Sequence, residues 1–191
     1  IGEEFFKDVG GIQSVETFVF KDRAAANDPR ILRALARADG IFIGGGDQSR
    51  YVRYWRGTPI AKALDDHVRA GKPLGGTSAG LAILGEYLYG AMDGGSITSP
   101  RALADPLGDA NTIETGFLGL SLLHGVITDT HFSERARLGR LIAFLAKGEA
   151  MAGRPLIGLG VDEDAAVAVE GDGSAHVYAT TPGAGATLVR G

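Results

Sequence analysis

The sequence predicts an α/β fold, a three-layer sandwich in which helices cover both faces of a mostly parallel central sheet. Strand-like segments alternate along the chain with helical ones, and this alternation is typical of parallel sheets. Several apolar strand-like runs also end in glycines, as buried parallel strands do where the chain turns into a helix. With 191 residues, 45% of them hydrophobic and 22% charged, the chain has the size of one domain, predicted over residues 1–191.

Two helices with clear start signals lie in the first half of the chain. The run "SVETFVF" at 14–20 predicts a strand, and an earlier strand of the complete fold is absent or lies before it. Asp28–Pro29 and Thr58–Pro59 each combine a capping side chain with a proline at the first helical position, and "GIFIGGG" at 40–46 predicts the buried strand between them. The apolar residues at helical spacing are Ile31, Leu32 and Leu35 in the first helix and Ile60, Ala63, Leu64 and Val68 in the second.

The alternation continues through the middle of the chain with one interruption. "KPLGGTSAG" at 72–80 predicts a strand and a turn, and "LAILGEYLY" at 81–89 predicts the helix that follows. Residues 91–116 are polar and glycine-rich without a clear period, so we expect a long loop or insertion there.

The last third of the chain predicts a strand, a helix and a hairpin. "LHGVITDTHF" at 123–132 is the strand, and "GDG" at 171–173 turns a late pair of strands at 156–170 and 174–179. The buried stripe of the intervening helix is predicted to consist of Leu138, Leu141, Ile142 and Leu145.

Composition excludes several classes of function. A net charge of −4 without a basic tract argues against nucleic-acid binding, and no apolar run is long enough to span a membrane. The absence of cysteine removes disulfides and thiolate chemistry. The chain begins with Ile1, which leaves open that a natural N-terminus with a leader is missing. The cytoplasm is favoured as its compartment, and secretion stays open.

Three distinctive segments, "GGGDQ", "GTSAG" and "DTHF", fall at the carboxyl ends of predicted strands, where α/β sheets bind ligands. "GTSAG" matches a nucleophile elbow, a tight strand-to-helix turn that needs glycines at Gly76 and Gly80 and exposes Ser78. In that interpretation the N–H of Ala79 meets the developing oxyanion. The alternative is a glycine-rich turn with Ser78 as a helix cap.

A nucleophilic serine needs a base and an acid that orients the base. Among the four histidines, His131 is the candidate because it lies at a strand end among polar groups. His67, His124 and His176 are expected to be structural. The acids in reach by spacing are Asp129, which would point the same way as His131 on a strand, and Asp162, Glu163 and Asp164.

Four segments follow one another over residues 44–170: "GGGDQ", "GTSAG", "DTHFSERARLGRL" and "GLGVDEDAAVAVE". In this order they resemble the cyanophycinases and their relatives in the S51 group of serine peptidases. The resemblance implies a class I glutamine amidotransferase-like (flavodoxin-like) fold with serine in place of cysteine. It implies a serine exopeptidase with Ser78 as nucleophile, His131 as base and Glu163 as acid. It also implies a β-aspartyl-arginine substrate, held by Gln48, Asp129, Thr130, Arg135, Arg137 and Arg140.

Physical reasoning adds detail to this expectation. The glycines at 44–46 free the backbone, so the N–H of Gly46 or Asp47 is a candidate second oxyanion donor, whereas a phosphate loop is disfavoured because no G-K-[ST] follows. Arg135 is the best carboxylate partner because it is nearest to His131. Arg140 is predicted to point away from the buried stripe, either to solvent or to substrate.

Two departures from the family leave the substrate open. Thr130 stands where cyanophycinases have glutamine, and the 91–116 segment looks longer than theirs and is placed to cover the pocket. A related aspartyl dipeptidase or isopeptidase and a non-catalytic binding module are therefore the alternatives. The lack of cysteine excludes glutamine amidotransfer, and short length and triad order disfavour an α/β-hydrolase lipase.

The expected partner is a peptide or a cyanophycin-like polymer, with no cofactor, metal, nucleic acid or membrane. "RYVRYWRG" at 50–57 is compatible with a pocket entrance, a helix edge or a homodimer contact.

Overall fold

The computed structural model describes residues 10–191, and the first nine residues of the predicted domain lie outside the described part. The fold is of the predicted α/β class. Its nine strands are β1 (Ile41–Ile43), β2 (Leu74–Gly76), β3 (Tyr87–Tyr89), β4 (Ile113–Thr115), β5 (Val126–Thr130), β6 (Ile157–Val161), β7 (Ala165–Val169), β8 (Ala175–Ala179) and β9 (Ala186–Arg190), all within the described residues.

The helices of the described residues are α1 (Pro29–Arg37), α2 (Gln48–Trp55), α3 (Pro59–Arg69), α4 (Ala79–Ala82), α5 (Ser99–Ala104) and α6 (Leu138–Ala152), with 3₁₀ turns at Ala24–Asn27 and Ser121–Leu123. Both predicted proline starts are confirmed, since α1 and α3 begin at Pro29 and Pro59. Asp28 caps α1 by accepting from the N–H of Arg30. Thr58 instead donates its hydroxyl to the carbonyl of Trp55. Between residues 10 and 191, no helix combines the length and apolar character that a membrane crossing requires.

The main sheet is more mixed than predicted. Its order is β4-β3-β5-β6-β9, in which β3, β5 and β6 are parallel and both edge strands run antiparallel to their neighbours. β1 and β2 form a separate parallel pair, and β7 and β8 form a hairpin at the predicted turn. The single strand predicted over 156–170 is divided, because its first part is β6 of the main sheet and its last part is β7. Two apolar clusters hold these layers: one packs α1–α3 against β1, and the other packs α6 against β3–β5.

Three sequence-based element predictions are wrong. Residues 14–20 form no strand, because they make no ladder with a neighbouring strand, although Phe18 and Phe20 pack on the first cluster. The helix predicted over 81–89 ends at Ala82 and gives way to β3. A side chain at Gly85 would lie 2.6 Å from the carbonyl of Val126, so the chain here already runs close against β5.

The segment 91–116, predicted as a loop, contains α5 and the edge strand β4. The sequence did not predict these two elements, because each is short and buries only one of its residues. The buried residues are Ala102 in α5 and Ile113 in β4.

Candidate active site

The serine turn is built by two parallel strands that end side by side. β1 and β2 pair in register up to Ile43 and Gly76, and the N–H of Thr77 continues the pairing to the carbonyl of Ile43 at 3.0 Å. A side chain at Gly80 would collide with the carbonyl oxygen of Ile43, and one at Gly76 would collide with that of Gly80. The predicted need for glycine at both positions is therefore confirmed.

Ser78 lies at the tip of this turn in a strained conformation. Its φ of 51° and ψ of −122° are unusual for a residue with a side chain, and such a conformation costs about 1–3 kcal/mol. Ser78 makes no side-chain cap to α4, so the capping alternative does not describe this turn. Its Oγ instead lies 2.8 Å from Nε2 of His131.

His131 reaches the serine because the backbone turns sharply at the end of β5. Its φ is 47°, a second positive value for a residue other than glycine. This turn separates its side chain from that of Asp129, so the expectation that both point the same way is wrong. Nδ1 of His131 lies 2.6 Å from Oε1 of Glu163. With the ring proton on Nδ1, His131 donates to Glu163 and accepts from the Ser78 hydroxyl.

The four candidate acids have different partners. Glu163 contacts His131 and is 46% exposed at its side chain. Asp129 is 1% exposed and accepts from Arg140. Asp162 accepts from the N–H groups of Ser133 and Gly185, and Asp164 accepts from the hydroxyl of Thr181. Spacing had left these four acids open, and the hydrogen bonds assign each one a different contact.

Arg140 and Asp129 form a buried ion pair near the end of β5. Nε and Nη2 of Arg140 donate to the two carboxylate oxygens of Asp129 at 2.8 and 2.5 Å, and Nη1 donates to Oγ of Ser96 at 2.7 Å. Arg140 is 2% exposed, so the prediction that it points away from the buried side of α6 is wrong. Of the predicted stripe, Leu141 and Leu145 are buried, but Leu138 and Ile142 are 49% and 45% exposed.

Arg137 joins the same buried cluster. It donates to the carbonyl of Thr130 at 2.7 Å and to Oγ of Ser96 at 3.3 Å, and lies 3.7 Å from Asp129. Burial, and then repulsion from Arg140, lower the pKa of Arg137 to about 10, so it stays charged at neutral pH. The cluster therefore carries two cations for one anion.

Arg135 is the arginine that the structure leaves at the surface of the site. Its side chain is 53% exposed, and Nη2 lies 3.8 Å from Oε1 of Glu163. Gln48, at the start of α2, donates its amide to the carbonyl of Tyr89 at 3.0 Å. The structure thus brings Arg135 close to Glu163 and gives Arg137, Arg140 and Thr130 partners inside the protein.

The glycine loop after β1 lies against the serine. A side chain at Gly45 would approach the Ser78 Oγ to 3.5 Å. The hydroxyl of Tyr51 holds this loop by donating to the carbonyl of Gly44 at 2.8 Å, and burial raises the pKa of Tyr51. Within residues 10–191, the N–H groups of Gly46, Asp47 and Ala79 have no hydrogen-bond acceptor, so these candidate oxyanion donors are available.

Sequence reasoning missed two contributors to the site. Tyr51 belongs to "RYVRYWRG", whose role had been left open, and Trp55 of the same segment is buried 4.8 Å from the Tyr51 ring. The segment therefore packs on the core through Trp55 and against the glycine loop through Tyr51, and the homodimer interpretation stays a prediction. Ser96 lies in the segment predicted as a loop, where no periodicity marks it. The three other histidines do not contact Ser78 or Glu163: His67 is buried against the carbonyl of Pro73, His124 faces Glu86 at 3.5 Å, and His176 lies in β8.

The sequence is similar to that of known peptidases. The profile of peptidase family S51 matches residues 4–177. A cyanophycinase of Synechococcus elongatus is 38% identical over 176 residues, which cover 91% of this chain and 49% of that protein. Cyanophycinases of Trichormus variabilis and Geminocystis herdmanii are 34% and 31% identical, each over 85% of this chain and over 50% and 54% of their own lengths. The chain thus spans about half the length of the curated relatives it matches.

Solved structures share the fold at low sequence identity. A peptidase from an acI-B1 Actinobacterium superposes with a TM-score of 0.58 at 19% identity, over 83% of this chain and 57% of that one. A putative peptidase E protein of Listeria monocytogenes has a TM-score of 0.51 at 15% identity, over 80% of this chain and 65% of its own.

Proposed function

The chain belongs to peptidase family S51, and we propose that it is a serine-type peptidase with Ser78, His131 and Glu163 as its catalytic triad. The observation that carries this proposal is the unbroken hydrogen-bonded series from Ser78 to His131 at 2.8 Å and from His131 to Glu163 at 2.6 Å. Serine, imidazole and carboxylate in this order have the geometry of nucleophile, base and orienting acid.

The chemical steps follow from these contacts. Nε2 of His131 takes the proton of the Ser78 hydroxyl as Oγ attacks the carbonyl carbon, and Glu163 stabilises the imidazolium that results. The free N–H groups of Ala79 and of Gly46 or Asp47 then donate to the oxyanion. The imidazolium returns the proton to the departing amine, which leaves an acyl group on Ser78. Water, activated by His131, hydrolyses that ester and restores the serine.

We further propose that the substrate is cyanophycin or a similar polymer, and that the bond cleaved is of the β-aspartyl-arginine type. The named function of the relatives supports this choice. Arg135 supports it physically, because an exposed guanidinium beside the triad is suited to a substrate carboxylate. A free peptide or polymer end is the expected partner, and a homodimer remains a separate expectation.

A second candidate is another aspartyl dipeptide or isopeptide. It is favoured by the inner arginines, because Arg137 and Arg140 donate to Ser96, Thr130 and Asp129. With those donors occupied, a substrate would meet one arginine at the surface of the site rather than three. A smaller acidic substrate than the polymer would suit that arrangement.

Digestion of a substrate panel tests the proposal. The panel contains cyanophycin, β-Asp-Arg, α-aspartyl dipeptides and isoaspartyl peptides, and Ser78→Ala is the matched control. Release of β-Asp-Arg from cyanophycin by the wild type alone supports the first candidate, and turnover of only a dipeptide or an isopeptide supports the second. No turnover of any member would favour the non-catalytic binding module. A serine-reactive phosphonate should label Ser78, and labelling elsewhere would contradict the triad.

A further inference from the structure

The contact between His131 and Glu163 lies beyond the end of the strand ladder that brings them together. The parallel pairing of β5 with β6 ends at Thr130 and Val161. Beyond it, one further backbone bond runs from the N–H of Phe132 to the carbonyl of Val161 at 3.2 Å. The positive φ of His131 bends the chain out of strand geometry, so backbone pairing cannot continue to Glu163.

Two carboxylates bridge the loops where the ladder stops. Oδ1 of Asp162 accepts from the N–H of Ser133 at 2.9 Å, and Oε1 of Glu134 accepts from the N–H of Glu163 at 2.9 Å. Each loop therefore gives one side-chain acceptor to the backbone of the other. We call this pair of crossed hydrogen bonds, made by Asp162 and Glu134, the reciprocal clamp.

Asp162 also fixes the clamp to the main sheet. Its second oxygen, Oδ2, accepts from the N–H of Gly185 at 2.9 Å, immediately before β9. Partial burial would raise the pKa of Asp162, but the hydrogen bonds from Ser133 and Gly185 outweigh it and hold that pKa below its ordinary value. Asp162 is thus ionised at neutral pH, with both oxygens accepting.

Glu163 needs this external support because its side chain is 46% exposed. A solvent-exposed ion pair does little to order a long side chain. The backbone N–H of Glu163 is where the clamp acts, so the clamp fixes the starting point of the side chain that must reach Nδ1 of His131. Small displacements of a catalytic group are costly to turnover.

We propose that Asp162 and Glu134 are positioning residues, whose reciprocal clamp holds Glu163 in hydrogen-bond register with His131. Neither side chain contacts the reacting atoms, and both act through the backbone of the His131 and Glu163 loops. The inference rests on the proposed function in one respect, since it assumes that the pair of His131 and Glu163 serves catalysis.

Four variants test the clamp. Asp162→Ala removes both acceptors of Asp162 and Glu134→Ala removes that of Glu134, whereas Glu134→Gln keeps a side-chain carbonyl that accepts the same bond. Asp172→Ala is the matched control, because Asp172 accepts from the N–H of Ser174 at 2.9 Å in the remote β7–β8 turn. We expect kcat to fall roughly 10- to 100-fold in the two clamp alanine variants, with KM within about twofold. Glu134→Gln and Asp172→Ala should match the wild type.

A proton NMR signal of the His131 Nδ1–H group gives a readout that does not need activity. The wild type should show a low-field resonance for the proton shared with Glu163, and the clamp alanine variants should lose it or shift it upfield. Retained kcat and resonance in those variants, or equal losses in Glu134→Gln and Glu134→Ala, would overturn the clamp. If Asp162→Ala does not fold, the comparison of Glu134→Ala with Glu134→Gln, at an exposed residue, tests the clamp. An inactive wild type that keeps the resonance would refute the peptidase proposal and still test the clamp.

Discussion

Two groups of hydrogen-bonded residues lie at the end of β5, and their acids differ in exposure and in hydrogen-bond partner. The exposed series runs through Ser78, His131 and Glu163, and its acid is 46% exposed. The buried cluster contains Asp129, Arg137 and Arg140, and its acid is 1% exposed. The two acids are thus of the same chemical type but have different hydrogen-bond partners, the imidazole of His131 in one case and the guanidinium fork of Arg140 in the other.

This difference teaches that partner and exposure, rather than proximity in sequence, distinguish the carboxylate proposed as the orienting acid from the one that compensates buried charge. Asp129 is two residues from His131, yet it neutralises buried cations that would otherwise be costly. Glu163 is distant in sequence, and its loss would leave no buried charge unpaired. Substitutions in the exposed series should therefore reduce activity, and substitutions in the buried cluster should reduce stability.

The largest effect is expected for Glu163→Gln. Glutamine keeps the shape of the side chain but cannot stabilise an imidazolium, so kcat should fall by roughly 10²–10⁴-fold. Because the Glu163 side chain is about half exposed and neutralises no buried charge, the free energy of unfolding should change by less than about 0.5 kcal/mol. Steady-state kinetics and urea denaturation measure the two quantities. Asp164→Asn, at the neighbouring exposed acid, is the matched control and should remain active.

Asp129→Asn should show the opposite pattern. It leaves the buried guanidinium of Arg140 without its counter-charge, and breaking a buried pair in this way costs about 3–5 kcal/mol. Urea denaturation measures the loss, and Asp66→Asn, which breaks the exposed contact with Lys62, provides a control whose unfolding free energy should stay close to that of the wild type. An Asp129→Asn enzyme with normal stability but crippled turnover would instead identify Asp129 as the orienting acid.

The same contrast explains which parts of the molecule the sequence could predict. Local chemistry predicted the serine turn, because a strand ending in glycines with Ser78 between them permits few backbone paths. It could not predict the position of Arg140. Helical periodicity treats any charged residue as solvent-facing, and only the three-dimensional structure shows that Asp129 compensates its charge. Spacing likewise left four carboxylates open as the acid, and the family resemblance rather than local chemistry selected Glu163, whose contact with His131 is a tertiary one.

Short elements were the other source of error. The buried run from Tyr87 to Tyr89 is apolar at every position, so periodicity could not distinguish a strand from a helix. Residues 14–20 have strand-like composition, but the described part of the chain supplies them with no strand partner. Composition reports a preference, whereas a strand also requires a neighbour to pair with.

Arg135→Lys sharpens the comparison among the three arginines. If the exposed Arg135 binds a substrate carboxylate, lysine loses the two parallel hydrogen bonds of a guanidinium fork. The specificity constant kcat/KM should fall by about tenfold, or roughly 1.4 kcal/mol, without loss of stability. The decrease should be much smaller for an analogue whose α-carboxylate is amidated.

Arg101→Lys is the matched control for this substitution, because Arg101 is similarly exposed. Its guanidinium pairs with Asp93 at a distance of 3.2 Å and contacts none of Ser78, His131 and Glu163. Equal losses for Arg135→Lys on the charged and the amidated substrate would show that Arg135 is structural.

The smallest expected effect is a change in how stability depends on pH, caused by substitution of Asp162. Like Asp129, Asp162 is a carboxylate with partners inside the protein, but these partners are the backbone N–H groups of Ser133 and Gly185. Its folded-state pKa is lowered, so ionised Asp162 stabilises the fold fully above the unfolded value of about 3.9. That contribution is lost as the pH falls through the lower folded-state pKa. Asp162→Asn is neutral throughout, so its deficit in unfolding free energy relative to the wild type should be largest near neutral pH and shrink below about pH 4. Urea denaturation across this range measures it, and a deficit that stays constant with pH would attribute the loss to packing instead of charge.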